Sequence, residues 1–275
     1  MKLLCGAHVL DLSVPRVMGI LNVTPDSFAD GGRHFDPARA LDHARQMISD
    51  GAAIIDIGGE STRPGAKPVS EADELARVIP LVAALSSEAA LVSIDTMKPA
   101  VMRAAIAAGA AMVNDVRALQ TRGALETVAA SNAAVCLMHI QGEPRTMQAD
   151  PHYDDVVREV RDFLVERALT CEAAGIARDR IVIDPGFGFG KTMAHNLILL
   201  RSLPVLTQTG YPVLAGLSRK ATIGRITGRD VSERMAGSVA AALAAVARGA
   251  AIVRVHDVRE TVDALNVWYA VEDAE

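Results

Sequence analysis

The strongest constraint on the fold is a strand-like segment that recurs along nearly the whole sequence. Each copy has four to seven residues, is mostly apolar on both faces and is bounded by residues that favour turns, as buried parallel strands are. We predict eight such strands, at residues 17–22, 54–58, 91–95, 112–115, 134–139, 181–184, 212–218 and 252–256.

Segments with helical periodicity separate the predicted strands. Apolar residues recur on one helical face across residues 40–48. Asp36 and Pro37 are a typical helix start, and Ser70 begins a sequence that resembles a capping box. Glycines such as Gly51 stand where the helical pattern stops. The sequence therefore alternates between strand and helix.

Eight strands that each lead into a helix favour an α/β fold of the (β/α)8 TIM-barrel type. We predict a single domain over residues 1–275, with a short N-terminal lead or hairpin that ends near Pro15. An open doubly wound sheet is the alternative. The sequence contains no Pro-, Ser- or Gly-rich linker that would divide it.

Composition and charge narrow the functional classes. With half of its residues hydrophobic and a formal net charge of -5, the chain does not present a general nucleic-acid surface, although a local basic pocket for an anion fits. Cys5, Cys136 and Cys171 are widely spaced, so neither a disulfide framework nor a zinc site is indicated. Because no apolar run suits a signal peptide or a membrane span, we expect a cytoplasmic protein that binds no membrane.

A glycine-rich stretch, Asp-Pro-Gly-Phe-Gly-Phe-Gly-Lys, occupies residues 184–191 after the sixth predicted strand. Alternating glycines let the backbone turn tightly where a ligand approaches, and the phenylalanines offer stacking surface. The spacing matches neither a P-loop nor the dinucleotide-binding pattern G-x-G-x-x-G. A glycine-rich turn that binds nothing is the structural alternative.

Polar residues stand at the carboxyl end of every predicted strand. In a barrel these ends lie together and form the ligand site. They are Asn22, residues 56–60, Asp95, Asn114 with Asp115, His139, Asp184, residues 218–220 and residues 254–256. Each has a structural explanation as a cap or loop residue, but together they predict a polar, ring-shaped site.

Three groups of these residues suggest three kinds of contact. Carboxylates and an amide suit a ligand edge rich in N–H donors, cations suit an anion, and oxygen donors on the first loop suit Mg²⁺. The groups are Asp95, Asn114 and Asp184; Arg63, Lys220, Arg254 and His256; and Asn22, Asp26 and Asp30. The structural alternatives are that Arg254 pairs with Asp257 and that Asp26 caps the turn after Pro25.

Seven motifs in these positions resemble the dihydropteroate synthases of folate biosynthesis. They begin with Met-Gly-Ile-Leu-Asn-Val-Thr-Pro-Asp-Ser-Phe at residues 18–28. The others lie at residues 56–65, 114–115, 138–139, 184–191, 216–220 and 254–257. The matches occur in order and at nearly every strand end, which makes the resemblance specific.

The resemblance implies a transferase that joins 6-hydroxymethyl-7,8-dihydropterin pyrophosphate to p-aminobenzoate, with Mg²⁺ as cofactor and a homodimeric state. It implies that the pterin contacts Asp95, Asn114, Met138, Asp184 and Lys220, of which Asp95, Asp184 and Lys220 are catalytic. It implies that Asn22, Arg63, Arg254 and His256 bind the pyrophosphate, with Asn22 also at the metal. It implies that Thr62, Arg63, Pro64, Phe189, Ser218 and Lys220 shape the p-aminobenzoate pocket.

Two other functions remain open on the sequence. A methyltetrahydrofolate:corrinoid methyltransferase shares the pterin-reading pattern but has no reason to carry the anion set Arg63, Arg254 and His256. A non-catalytic pterin-binding paralogue should have lost residues of the first or second loop, and both loops look intact here.

Overall fold

The computed structural model describes residues 1–23, 36–61, 68–86, 88, 91–272 and 274. Within these ranges it has ten strands and ten α-helices. The strands are β1 (Lys2–Cys5), β2 (His8–Asp11), β3 (Arg16–Asn22), β4 (Ile54–Gly58), β5 (Leu91–Asp95), β6 (Met112–Asp115), β7 (Ala134–Met138), β8 (Ile181–Asp184), β9 (Leu214–Ala215) and β10 (Ile252–Val255). The helices are α1 (Pro37–Ser49), α2 (Glu71–Leu85), α3 (Pro99–Ala107), α4 (Ala124–Ala129), α5 (Val156–Ala173), α6 (Met193–Arg201), α7 (Pro204–Thr207), α8 (Ala221–Thr227), α9 (Met235–Val246) and α10 (Val258–Glu272).

Strands β3 to β10 form one parallel sheet in the order β8-β7-β6-β5-β4-β3-β10-β9. A parallel bridge between Ile183 and Val213 joins its two ends, so the sheet closes into a barrel. The predicted (β/α)8 architecture is confirmed, and the alternative of an open sheet is wrong. Strands β1 and β2 form the N-terminal antiparallel hairpin.

The seventh barrel strand is shorter than predicted. We expected it to cover residues 212–218, but regular pairing is limited to Leu214–Ala215. Pro212 has no N–H to donate to a ladder, although its carbonyl accepts from Ile183. After Ala215 the chain turns away, and Arg219 adopts a left-handed conformation with φ 57°. This early turn carries the polar residues after the strand toward the barrel mouth.

Alternation along the strands separates two apolar cores. Outward-facing residues such as Ile55 and Ile57 pack against the helices. The inward-facing residues at the strand starts form a second cluster with the hairpin: Leu3, Cys5, Leu10, Leu12, Met18, Ile54, Leu91, Met112, Val182, Leu214 and Ile252 among others. The hairpin therefore closes the amino-terminal end of the barrel and leaves the carboxyl end for polar groups.

The predicted helix starts are confirmed. Asp36 accepts hydrogen bonds from the backbone N–H groups of Ala38 and Arg39, with Pro37 in the first turn of α1. The Ser70 side chain caps α2 by accepting from the Asp73 N–H. No helix in the described ranges has the length and apolar character needed to cross a membrane.

Candidate active site

A layer of polar side chains lies inside the barrel, one level above its apolar base. Asp56, Asp95, Asn114 and Asp184 come from β4, β5, β6 and β8, and each is two or four residues beyond an inward-facing apolar residue. Since side chains on a strand alternate in direction, this spacing points all four into the barrel. Asp95, Asn114 and Asp184 therefore all face the inside of the barrel, near the carboxyl ends of their strands.

Arg254 lies among these acids. Its Nε donates to Asp56 Oδ2 at 2.6 Å, and its Nη2 donates to Asp95 Oδ2 at 2.7 Å. Asn114 Nδ2 donates to the same Asp56 oxygen at 2.9 Å. The structural alternative that Arg254 pairs with Asp257 is wrong. Arg254 faces into the barrel, whereas Asp257 follows the end of β10.

Asp56 was one of the strand-end residues 56–60 in the sequence analysis, but no ligand contact was assigned to it. It is fully buried, and its Oδ1 has no hydrogen-bond partner among the described residues. A buried carboxylate without full hydrogen bonding is unfavourable unless a cation compensates it, and Arg254 supplies that cation. Its position two residues after the inward-facing Ile54 is the signal that could have identified it.

Lys220 and Asp184 face each other across the mouth of the barrel. Burial lowers the pKa of Lys220 to about 8, although Asp184 opposes the shift. Burial raises the pKa of Asp184, and the Lys220 ammonium is the largest opposing influence. Lys220 Nζ donates to the Phe187 carbonyl and lies 4.8 Å from the centre of the Phe189 ring. The pair is thus a buried carboxyl group and a half-buried lysine next to an aromatic face.

The pKa of the Asp95 carboxyl group also differs from that of an ordinary aspartate. Burial raises the pKa of its carboxyl to about 7, while Arg254 pulls it down and Asp56 adds to the rise. A proton therefore leaves this carboxyl close to neutral pH. Such a group accepts hydrogen bonds well above that pH and donates one below it.

The glycine-rich turn after β8 packs tightly against the end of β7. A Cβ on Gly186 would overlap the His139 carbonyl oxygen, and one on Gly190 would overlap the Gln141 carbonyl oxygen. Both glycines have positive φ, at 66° and 63°. Met138 is buried beside Gly186. The glycines are therefore needed for close backbone packing, which brings the Phe187–Phe189 segment to Lys220.

The loops after β9 and β10 are joined by a second set of contacts. Ser218 Oγ and His256 Nδ1 are 3.0 Å apart, and the His256 N–H donates to the same hydroxyl. Arg219 forms a two-bond ion pair with Asp257, and its N–H donates to Ser238 Oγ at 2.9 Å. These contacts hold the left-handed Arg219 in place and set Ser218 beside His256.

Asn22 lies at the end of β3, close to the acidic layer. A Cβ on Gly58 would be 3.8 Å from Asn22 Oδ1 and 3.7 Å from Asp95 Oδ2, so both oxygens flank the same glycine. The structure thus brings Asn22 next to residues of β4 and β5. Among the described residues there is no group of three or more His, Cys, Asp or Glu side chains that could hold a metal alone.

Five predicted residues lie outside the described residues: Asp26, Asp30, Thr62, Arg63 and Pro64. The base of the second loop is described. Glu60 accepts from Lys98 Nζ at 2.6 Å through one oxygen and from the Val69 N–H at 3.2 Å through the other. Lys98 also donates to the buried Glu74. No pattern in the sequence indicates this three-charge cluster, which holds Glu60 and Val69, on either side of the loop, close to α2.

Comparisons with known proteins find similarity over nearly the whole chain. The family model "Pterin binding enzyme" matches residues 18–256. A dihydropteroate synthase of Haemophilus influenzae is 51% identical over 275 residues and covers 100% of both chains. The chain superimposes on the Xanthomonas albilineans dihydropteroate synthase with 4-aminobenzoic acid at a TM-score of 0.94, 55% identity and 100% and 99% coverage. It superimposes on the Burkholderia cenocepacia dihydropteroate synthase complexed with 7,8-dihydropteroate at 0.91, 53% identity and 98% and 96% coverage.

Proposed function

Because the chain belongs to the dihydropteroate synthase family of pterin-binding enzymes, we propose that the side chains at its barrel mouth hold the two substrates of that family and join them. The enzyme is a transferase: 6-hydroxymethyl-7,8-dihydropterin pyrophosphate and p-aminobenzoate give 7,8-dihydropteroate and pyrophosphate. The observation that carries the assignment of residues is the inward-facing layer of Asp95, Asn114 and Asp184 opposite Lys220.

The inward-facing side chains of Asp95, Asn114 and Asp184 bind the aminopyrimidinone edge of the pterin by hydrogen bonds. That edge presents several N–H donors, and ionised carboxylates only accept hydrogen bonds. Asp184 and Asp95 accept from the ring, and Asn114 offers both a donor and an acceptor. Lys220 donates to a ring acceptor, and Met138 packs on the ring face. A buried, preorganised layer of this kind favours a flat polar ring over water.

The pyrophosphate is bound by four residues: Asn22, Arg63, Arg254 and His256. Mg²⁺ uses few protein oxygens and completes its shell with waters and substrate phosphates. The amide oxygen of Asn22 beside Gly58 fits that requirement, and Asn22 would hold the ion. When bound there, Mg²⁺ neutralises negative charge on the departing pyrophosphate.

The p-aminobenzoate pocket lies on the side of Phe189, Ser218 and Lys220. The Phe189 ring supplies an aromatic wall that is held 4.8 Å from the Lys220 ammonium. Ser218 and Lys220 are polar groups that suit the carboxylate end of the arylamine. Thr62, Arg63 and Pro64 complete the pocket from the second loop.

Electrostatic stabilisation of the transition state supplies most of the rate enhancement. The C–O bond to the pyrophosphate breaks, its electron pair leaves with the phosphate oxygen, and a pterin-methyl cation forms. Asp95 and Asp184, hydrogen-bonded to the ring, stabilise that positive charge. The arylamine lone pair then forms the C–N bond, and the nitrogen releases one proton to solvent. An aniline nitrogen is nucleophilic at neutral pH, so the pocket needs no strong base.

The assembly is a homodimer formed through the late helices. Three large apolar side chains are exposed between the end of α8 and the start of α9: Ile226 by 58%, Val231 by 52% and Met235 by 41%. Clustered exposed apolar residues mark association surfaces.

We further propose that residues 1–275 form a single pterin-binding domain that works in the cytoplasm, where its buried cysteines stay reduced.

The decisive test is pyrophosphate release by the purified protein with dihydropterin pyrophosphate and Mg²⁺, with and without p-aminobenzoate. Release that depends on p-aminobenzoate and yields dihydropteroate supports the proposal. Tight pterin binding without turnover points instead to a non-catalytic pterin-binding paralogue. Methyl transfer from methyltetrahydrofolate to a corrinoid, without pyrophosphate release, would identify the methyltransferase alternative.

A further inference from the structure

Lys191 is a buried lysine that the reaction described above does not use, and burial lowers the pKa of its ammonium to about 7. Its side chain follows the glycine-rich turn, and the residue is only 2% exposed. Its three donor positions have three acceptors nearby: His139 Nδ1 at 2.9 Å, the Phe189 carbonyl at 3.0 Å and the His139 carbonyl at 3.4 Å. A lysine is seldom this buried unless its ammonium is paired and hydrogen-bonded.

The three contacts join two different strands. His139 follows β7, and its N–H donates to the Asp184 carbonyl at the end of β8. Phe189 lies in the turn after β8. Lys191 therefore ties the Phe189 backbone to the end of the neighbouring strand.

Histidine chemistry agrees with this arrangement. Burial, and then the Lys191 charge, lower the pKa of His139 to about 3, so its imidazole is neutral at physiological pH. An Nδ1 that accepts from an ammonium must be unprotonated, which places the ring hydrogen on Nε2. The ring is held from another direction by Phe163, whose centre is 5.0 Å away at 84°. His139 is thus a fixed acceptor for Lys191.

Other contacts hold the rest of the same turn. Tyr153 Oη donates to the Gly190 carbonyl at 2.8 Å, and Gln148 Nε2 donates to the Gly188 carbonyl. The Gly188 N–H donates to Asn196 Oδ1 at 2.7 Å. Among the described residues, Lys191 is the side chain that donates to the carbonyl of Phe189, the residue whose ring lies next to Lys220.

We propose that Lys191 is a positioning residue for the arylamine: through His139 and the Phe189 carbonyl it sets the Phe189 ring at the wall of the p-aminobenzoate pocket. The inference rests on the proposed function, because it takes Phe189 to line that pocket. Lys191 does not touch the substrates and acts through Phe189. Its loss therefore affects p-aminobenzoate more than the pterin, which is read by Asp95, Asn114 and Asp184.

The first measurement compares Lys191→Met with the wild type. We expect the KM for p-aminobenzoate to rise roughly tenfold, the effect of losing one charge-assisted hydrogen bond. The dissociation constant for 6-hydroxymethylpterin, measured by calorimetry, should stay within about threefold, which also shows that the variant is folded. Lys2→Met is the matched control, since Lys2 is exposed in the hairpin at the opposite end of the barrel.

A double-mutant cycle with Phe189→Ala tests the route of the effect. If Lys191 acts through Phe189, then adding Lys191→Met to Phe189→Ala raises the KM by less than about twofold further. If the KM of the double mutant rises by the product of the two separate fold-changes, the inference is overturned. It is also overturned if Lys191→Met weakens pterin binding as much as it raises the KM for p-aminobenzoate. Should Lys191→Met not fold, Lys191→Gln takes its place in the cycle, because it is uncharged and has two N–H donors for the three acceptors around Lys191. A KM for p-aminobenzoate that is unchanged from the wild type in the folded Lys191→Gln variant overturns the inference.

The wild type separates this inference from the proposed function. Wild-type turnover with an unchanged KM in the folded Lys191 variants overturns this inference alone. Absence of wild-type turnover overturns the proposed function and this inference together.

Discussion

Arg254 and Asp95 form a hydrogen-bonded ion pair across the inside of the barrel, with Nη2 and Oδ2 2.7 Å apart. The same guanidinium bonds Asp56, so one cation on β10 serves carboxylates on β4 and β5. Two acids this close would repel each other if both were ionised without a cation. Arg254 is therefore part of what allows an acidic layer to exist in the interior.

Removing this cation should weaken the fold as well as the reaction. Arg254→Met leaves Asp56 and Asp95 buried without their partner, which typically destabilises a protein by about 3–5 kcal/mol. Arg254→Lys should recover part of the stability but little activity, because a lysine lacks the planar fork with which the guanidinium bonds Asp56 through Nε and Asp95 through Nη2. Urea unfolding and turnover of both variants test this. Equal stability of Arg254→Met and the wild type would contradict the assigned pairing.

The two residues at the barrel mouth should matter for catalysis more than for folding. Lys220→Ala or Asp184→Ala is expected to reduce kcat/KM by about two orders of magnitude or more, as loss of a preorganised electrostatic group does. Far-ultraviolet circular dichroism should show that both variants stay folded. Arg45→Ala is the control, since Arg45 pairs with Glu88 on the outer surface and its side chain is 51% exposed. Near-normal turnover in either active-site variant would refute the assignment.

The rate should depend on pH through Asp95 and Lys220. The Asp95 carboxyl, with a pKa of about 7, must lose its proton to accept from the pterin, so kcat/KM rises as the pH increases through that value. Lys220, with a pKa of about 8, must keep its proton, so kcat/KM falls above that value. We expect a narrow bell-shaped profile.

Lys220→Arg is the control for the alkaline limb of this profile. An arginine does not deprotonate in the accessible range, so the fall at high pH should disappear even if the rate is lower. Ionisation of the substrate itself is identical in both enzymes and cannot explain such a difference. Persistence of the fall in Lys220→Arg would assign it to another group.

The glycine turn offers a test with a matched control. Gly186 and Gly175 both have positive φ, at 66° and 96°. Gly175→Ala has open space and should lose only about 1–2 kcal/mol, the penalty for a left-handed residue. Gly186→Ala adds an overlap with the His139 carbonyl and should lose clearly more stability and also pterin affinity. Similar melting temperatures for the two variants would argue against the close packing described.

The charge cluster under the second loop should contribute more than a surface pair. Lys98→Met leaves Glu74, whose side chain is 1% exposed, without its cation, and about 3 kcal/mol of stability should be lost. Arg45→Met removes an exposed pair and should change stability by less than about 1 kcal/mol. Chemical denaturation of both variants measures the contrast. Comparable losses would show that the cluster is not buried as described.

Local sequence patterns were enough to predict the barrel and the end of the barrel at which polar residues gather. Strand periodicity, the start of α1 at Asp36 and the stop at Gly51 follow from interactions within a few residues, so they can be read locally. The family motifs supplied the reaction. The polar residues at strand ends then had to meet, because parallel strands in a barrel end on the same side.

Which charged side chains pair with one another depends on the packing of the strands. Arg254 and Asp56 are 198 residues apart, and they meet because β10 lies next to β3, β3 next to β4, and both side chains point inward. Asp257 pairs with Arg219 rather than with Arg254, because β9 is short and Arg219 then adopts a left-handed conformation that turns its side chain toward Asp257. The burial of Lys191 against His139 likewise depends on two strands that are adjacent in space. Long-range partners of this kind depend on strand order and facing, which no local pattern contains.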